Sequence, residues 1–412
     1  MEVGRTSGSA VTPPMRQRTA RWLNSTVLGI GLASLFSDWS HEIATAAMPA
    51  FLASLGISAA WLGIIEGVAD GCSSFAKMAS GFYTDKLRRR KPIAVAGYIG
   101  TAIATACFAF ASNAWQVLLA RTAGWFSRGF RTPVRKALLA AAVTPDAYGR
   151  AFGLERAMDT LGAIVGPLTA LMILQLTRQN YRVLFCWTLL PGLLAAAVIL
   201  FFVRETRRTP VPHVSFGARL KLLPRSYRKF LIAVGVFGAG DFSHTMLILL
   251  ATQRLTPSLG PPGAASAGVV LYVLHNVFYA SFSFIAGWLA DRLPKNQLLA
   301  GGYALAGLMT LIIIFAPATL WILALVFLLG GTYIAIEETL EDSLCAELVV
   351  KDQHGMAFGV LATVNGVGDS LSSVIVGALW TAFSTAIAFG YSAFLFFTGA
   401  ILIATLPSEA NG

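Results

Sequence analysis

The sequence has 412 residues, of which 56% are hydrophobic and only 12% charged, with 31 Lys and Arg against 20 Asp and Glu. Soluble domains carry roughly 25% charged residues, so this chain cannot coat a globular surface with polar groups, and a membrane-embedded helical bundle is its default class. An outer-membrane barrel is excluded by the missing period-2 alternation, and the net charge of +11 falls where membrane topology accounts for it, which argues against nucleic acid as a partner.

Residues 1–23 carry Arg5, Arg16, Arg18 and Arg21 with Pro13 and Pro14 and read as a basic tail. The apolar stretch that follows runs on past Asp38 to Leu55, so it reads as a first span rather than a cleavable signal. The Asn24-Ser25-Thr26 glycosylation match at its start reads as accidental. A span needs ~20 mostly apolar residues. The breaks at Gly, Pro and charge predict twelve: 24–54, 60–82, 92–112, 115–138, 150–176 and 182–203, then 229–253, 265–290, 297–316, 319–345, 355–382 and 384–406. Residues 204–228 form a Pro-containing linker between two sets of six, with an amphipathic segment of Phe216, Leu220, Leu222 and Leu223, and 407–412 form a short tail.

Ionisable residues interrupt these spans. With the hydrocarbon starting near Val27, Asp38 lies about 16 Å in at 1.5 Å per residue, close to the middle of a ~30 Å core. His41 and Glu42 follow at i+3 and i+4 on the same face. Span 2 adds the pair Glu66 and Asp70, and span 4 carries Arg121 and then Arg128, Arg131, Arg135 and Lys136. Span 5 holds Glu155, Arg156 and Asp159, which could pair internally, and Gly162, Gly166 and Pro167, which allow close helix contact. Span 7 repeats the first pattern with Asp241 and His244, and span 8 has Tyr272 and Asn276 where span 2 has its acids. Intramembrane charges of this kind normally face protein or a wet cavity and mark ion or substrate routes. Cys72, Cys107, Cys186 and Cys345 lie in apolar runs without CxxC spacing and are expected as packed thiols with no disulfide framework.

Orientation follows from Lys and Arg. The N-terminal tail, KLRRRK at 86–91, RGFRTPVRK at 128–136 and the linker are basic. The facing loops 55–61 and 112–116 are bare, and only Arg178, Arg182 and Arg254 lie on that side. The positive-inside rule then puts both termini and the linker in the cytoplasm.

The chain also repeats. GFYTDKLRRR from Gly81 and GWLADRLPK from Gly287 place Asp85 and Asp291 at an offset of 206, YGRAFG and HGMAFG place Gly149 and Gly355 at the same offset, and DWSH and DFSH recur at 203. Two copies of one six-helix unit is the parallel repeat of secondary transporters. GFYTDKLRRRK, with Asp85, Arg89 and Arg90, resembles the signature loop of the major facilitator superfamily, Gly-x-x-x-Asp-[Arg/Lys]-x-Gly-[Arg/Lys]-[Arg/Lys]. GWLADRLPK, with Asp291 and Arg292, resembles its weaker second copy; Arg88 and Pro294 stand where the family has its second Gly. The resemblance covers about residues 24–406 and implies an all-α membrane protein of twelve helices in two pseudo-symmetric bundles, moving by rocker-switch alternating access. It implies that Asp85 pairs with a basic residue of span 4, for which Arg128 and Arg131 are candidates, and caps the start of span 11 near Gly355. ARTAGWFSRG resembles the family's span-four Arg-x-x-x-Gly element, tied to proton coupling, with Gly124 one residue early; AIVGPLTA resembles the span-five Gly-Pro element of its exporters.

Aligning the halves at 206 sets Arg131 on Glu337, Arg135 on Glu341 and Lys136 on Asp342, which predicts an ionic gate between the bundles. Asp38, His41, Glu42, Asp241 and His244 admit three readings: a proton relay, a divalent-metal site of Asp38, His41, Asp241 and His244, or structural hydrogen bonding. The leading expectation is proton-coupled export of a small organic compound, with Glu66, Asp70, Arg121 and Asn276 in the cavity. Metal or metal-chelate export is the alternative, and a metal-dependent membrane hydrolase a remote one, since neither HExxH nor GxSxG is present. No P-loop occurs, so a proton gradient rather than ATP or a cofactor is expected to drive it. A monomer in the inner membrane, in contact with lipid and a small-molecule substrate, completes the expectation, and the chain is not expected to be an enzyme.

Overall fold

The computed structural model describes residues 22–57, 59–205 and 216–406. The tail with Arg5, Arg16, Arg18 and Arg21, the central part of the linker and residues 407–412 lie outside the described residues. Among the described residues there is no strand, and the twelve predicted spans are all helical. Span 1 is Ser25–Ser54, span 2 Ala59–Thr84, span 3 Lys91–Ala106 with a 3-10 extension Cys107–Phe110, span 4 Ala114–Ala141 and span 5 Tyr148–Leu176. Span 6 is Tyr181–Trp187 and Leu189–Phe202. In the second half, span 7 begins as Arg225–Gly238 and restarts at His244, in a helical element that runs through a turn at Gly260 to the end of span 8 at Ala290. Spans 9 to 12 are Lys295–Phe315, Leu320–Leu348, His354–Ala382 and Thr385–Ala404.

Local sequence explains the ends. Asn24 accepts from the backbone N–H of Thr26 and Val27 at 2.9 and 3.1 Å, so the residue of the glycosylation match caps span 1. Asn113, Asn180, Thr319 and Ser384 cap spans 4, 6, 10 and 12 in the same way on the opposite face of the bundle. Glu205, at the start of the linker, takes the backbone N–H of Arg90 and Lys91 at 2.6 and 2.9 Å and ties the linker to the start of span 3.

Among the described residues, eight helical segments are long and apolar enough to cross a membrane on hydropathy alone. Spans 1, 2, 4 and 7 fall short. These carry Asp38 and Glu42, Glu66 and Asp70, the arginines from Arg121 onward, and Asp241. Their polar residues turn to the centre, where they meet Arg156 and Asp159 of span 5, Glu337 and Glu338 of span 10 and Asp369 of span 11. The outer surface is the reverse: Phe315 and Trp321 are 81% and 83% exposed, as suits side chains that meet acyl chains.

The two halves repeat in space. In the first, span 1 packs on spans 5 and 6, span 2 on span 4, and span 3 on spans 4 and 6; in the second, span 7 packs on 11 and 12, span 8 on 10, and span 9 on 10 and 12. Contacts between halves are symmetric too: span 2 meets 11 as span 8 meets 5, and span 4 meets 11 as span 10 meets 5. The main crossings are backbone against backbone. A Cβ on Gly149 would lie 2.2 Å from the carbonyl oxygen of Gly287, and one on Gly81 would lie 2.5 Å from that of Gly355.

RGFRTPVRK at 128–136 lies inside the span-4 helix, within the predicted span 115–138, with Arg131, Arg135 and Lys136 buried. Two expectations change. All four cysteines are free, but only Cys345 is buried, while Cys107 and Cys186 are exposed on the outer face rather than packed. In the linker helix Phe216–Leu222, Leu220 and Leu222 are exposed and the following Leu223 is buried, so these leucines do not share one packed face.

Candidate transport pathway

The basic face, which carries the 86–91 loop and the linker, is shut by two equivalent latches. Asp85, at the end of span 2, accepts from the backbone N–H of Gly355 and Met356 at 3.0 and 2.8 Å, so it caps span 11 as expected. Asp291, at the end of span 8, accepts from Gly149 and Arg150 at 2.8 and 3.1 Å and caps span 5. Each carboxylate also holds an arginine: Arg90 at 2.6 Å for Asp85, Arg150 at 2.5 Å for Asp291. The expected partners of Asp85, Arg128 and Arg131, lie elsewhere. They sit 13 and 10 residues before the end of span 4 at Ala141, about 20 and 15 Å along the helix, too deep to reach the face. Arg89 is exposed, and Arg292 lies over the Trp288 ring at 3.7 Å.

Behind the latches one predicted gate pair is formed and two are not. Lys136 and Asp342, 206 residues apart, meet at 2.6 Å. Arg135 turns into its own half, to Glu155 at 2.7 Å, Asp159 at 3.6 Å and Ser34 at 2.7 Å. Arg131 donates to Ser37 at 2.5 Å and lies over the Tyr98 ring at 3.8 Å. The reason is geometric. Equivalent positions are related by the pseudo-two-fold axis and touch only where that axis passes between them; positions off it point away from each other. The second cross-bundle pair is instead Arg156 with Glu338 at 2.9 Å, with Asp342 at 3.8 Å. Glu341 is held by Tyr303 and Asn365 at 2.5 and 2.6 Å.

At mid-depth, Asp38 pairs with Arg128 at 2.7 Å and both are largely buried. The Trp125 ring lies between Arg121 and Arg128, 5.2 and 5.4 Å from their guanidinium carbons, and His41 packs edge-on against it at 5.0 Å. Arg121 holds Glu66 at 3.0 Å and Thr45 at 3.2 Å. Glu42 is half-buried, and Gly166 of span 5 packs against its Cβ.

Span 7 departs most from expectation. The first helix ends at Gly238, and Asp241 sits in a non-helical break before His244, so Asp241 and His244 are not on one helix face. A Cβ on Gly240 would meet Leu395 at 2.9 Å, which admits only glycine at this close approach. Side chains from neighbouring helices take up the freed backbone groups: Tyr391 donates to the Ala239 carbonyl at 2.9 Å, and Ser373 accepts from the Ser243 N–H at 3.1 Å. Broken helices of this kind occur at membrane depth only where protein or a cavity surrounds them.

Asp241 accepts from the Tyr333 hydroxyl at 3.0 Å, and His244 packs against His275 with ring centroids 4.7 Å apart. Asp38 and Asp241 therefore do not face one another; each is engaged in its own half. The four-residue metal set of Asp38, His41, Asp241 and His244 is not assembled, and among the described residues no three His, Cys, Asp or Glu side chains form a group that could hold a metal ion. Asn276 donates to the Tyr272 carbonyl on its own helix at 3.0 Å.

Two adjoining cavities occupy the centre. One, of about 420 Å³, is lined by Asp70, Asp241, His244 and Glu337 among others; the other, of about 220 Å³, lies toward the basic face and is lined by Lys77, Arg128, Lys136 and Arg156 among others. Glu338, Asn365 and Asp369 border both. Tyr303, Tyr333 and His275 escaped the sequence reading because aromatic and single histidine residues look like packing in apolar runs. Lys77 and Asp369 carried a signal, an ionisable group within a span.

The sequence profile described as Major Facilitator Superfamily matches residues 30–271 and 232–411. An uncharacterised MFS-type transporter of Methanocaldococcus jannaschii is 26% identical over 360 residues, 87% of this chain and 89% of its own length. The multidrug resistance protein MdtG of Proteus mirabilis is 28% identical over 375 residues, 87% of this chain and 88% of its own. The crystal structure of the human organic anion transporter MFSD10 (TETRAN) matches with a TM-score of 0.75 at 16% identity, covering 95% of this chain and 100% of that one.

Proposed function

We propose that this chain, which belongs to the major facilitator superfamily of membrane transporters, exports a small organic compound in exchange for protons. The observation that carries the reading is the Asp38–Arg128 pair, buried at mid-membrane behind a shut basic face. A buried ion pair is held in place by mutual need: removing one charge leaves the other uncompensated, at a cost of about 3–5 kcal/mol. A proton taken up by Asp38 does this reversibly. It frees Arg128 to seek another carboxylate and so ties proton occupancy to the packing of spans 1 and 4. Outward exchange is supported by the likeness to a multidrug resistance protein. The basic face lies in the cytoplasm in this reading, and the membrane is the bacterial inner membrane.

The test is flux in proteoliposomes under an imposed pH gradient, screened over organic cations, organic anions and divalent metals. Asp38→Asn is expected to abolish gradient-driven flux. Wild-type flux from that variant rejects the relay.

A further inference from the structure

The larger central cavity is unbalanced in charge. Asp70, Asp241, Glu337, Glu338 and Asp369 line it, and among the described residues no Lys or Arg does. Glu338 has its counter-charge in Arg156. Among the described residues Asp241 has only the neutral hydroxyl of Tyr333 as a side-chain partner. Asp70 and Asp369 feel the charge of Lys77, which lines the adjoining cavity with Asp369, whereas among the described residues Glu337 makes no hydrogen bond or ion pair with another side chain. Glu337 is the telling member: the residue is only 7% exposed, yet it borders the cavity without a partner.

A carboxylate held out of water without a partner, as Glu337 is, is expensive; Asp241 is half-buried, and Asp70 and Asp369 are exposed to the cavity, where their charges add to the same negative field. Protons can neutralise them while the cavity is empty; an occupant that displaces those protons has to bring positive charge itself. A bare metal ion is a poor occupant, because among the described residues no three ligating side chains form a group that could hold one. A charge spread over a molecule fits better. The volume of about 420 Å³ falls within the ~300–1,000 Å³ of small-molecule sites, and Ser370 and Asn365 on the same wall offer hydrogen bonds to N–H groups.

We propose that this cavity binds a small organic ammonium compound, with Glu337 as its principal counter-charge and Asp241, Asp369 and Asp70 engaging its further donor groups. Asp70 belongs to the first half and the other three to the second, so the ligand bridges the two bundles. This inference rests on the transporter reading above, but not on coupling to protons.

The experiment is equilibrium binding of radiolabelled putrescine to the purified full chain in nanodiscs, without a gradient, with competition by ethanolamine, acetate and glucose. Saturable binding displaced by ethanolamine, and not by acetate or glucose, is expected. Glu337→Gln is expected to weaken it about tenfold or more. Asp146→Asn, which removes an exposed carboxylate far from the cavity, leaves it unchanged. Asp369→Asn stands in if Glu337→Gln does not fold. Displacement by acetate or glucose, no saturable putrescine binding, or unchanged affinity in the Glu337 and Asp369 variants overturns the proposal. Amine binding that persists in a chain without pH-driven flux overturns the coupling alone; pH-driven flux without amine binding overturns the cavity assignment alone.

Discussion

Substituting Gly149 by Ala should hold the basic face open. The added Cβ would stand 2.2 Å from the Gly287 carbonyl oxygen, 2.7 Å from an Asp291 carboxylate oxygen and 3.0 Å from the Ala290 Cβ. Ordinary contact begins at 3.4 Å, so spans 5 and 8 must part by about 1.2 Å, and the contact to relieve is backbone rather than the far end of a flexible side chain. Overpacking of this kind costs about 1–3 kcal/mol. The cost falls on the closed arrangement alone, because in an open one the two glycines no longer meet. A bias of that size shifts a two-state population about 5–150-fold. Thiol labelling reads it. Thr132 borders the smaller cavity, behind the latches, so a Thr132→Cys reporter in a chain otherwise free of cysteine is shielded, while the face is shut, from a membrane-impermeant maleimide added on the basic side. Gly149→Ala should raise its maleimide labelling rate several-fold to a hundredfold. Gly301→Ala, where a Cβ meets nothing within 4 Å, should leave it unchanged. Equal rates in a folded Gly149→Ala protein would refute the reasoning that backbone contact at this crossing defines the closed state.

The same reporter tests the charges. Asp342→Asn leaves the buried Lys136 without its carboxylate, which disfavours the closed face by about 3–5 kcal/mol; Lys136→Gln should cost less, because Asp342 keeps Arg156 at 3.8 Å. The charge-swapped double variant should recover only part of this, since a lysine at 342 meets Arg156, now 3.8 Å from that carboxylate. Asp85→Asn and Asp291→Asn each weaken three charge-assisted hydrogen bonds and should raise labelling to similar extents, with a penalty on closure of about 1.5–3 kcal/mol. Markedly unequal effects would contradict the equivalence of the two latches.

Much of the architecture was legible because it rests on one-dimensional signals. Apolar runs marked the spans to within a few residues, and the recurrence of Asp85 at Asp291 and Gly149 at Gly355 anticipated both latches. The offset also anticipated the Lys136–Asp342 contact. It could not tell that Arg131 and Arg135 turn inward, because a long side chain chooses among several carboxylates by three-dimensional reach, and Glu155 and Ser34 are close to Arg135 only after folding. The break in span 7 was hidden for another reason. Gly238-Ala239-Gly240 sits in an apolar run, and glycine is common in membrane helices. What unwinds the chain there is the approach of spans 11 and 12 with Ser373 and Tyr391. Trp125, Tyr303 and Tyr333, which organise the arginines and carboxylates, carry no charge and no spacing that separates them from packing residues.

At the centre of this account is the proposal that two copies of one six-helix unit, related by a pseudo-two-fold axis, rock against each other, so that the glycine crossings and their aspartate caps come apart when the basic face opens. Pulsed electron-spin distance measurement between labels at Arg89→Cys and Arg292→Cys, one on each half, tests this most directly. Two distance populations are expected, the shorter one dominant in the resting protein, with weight moving to the longer when Gly149→Ala is added. A single distance that neither Gly149→Ala nor an imposed gradient displaces would contradict it.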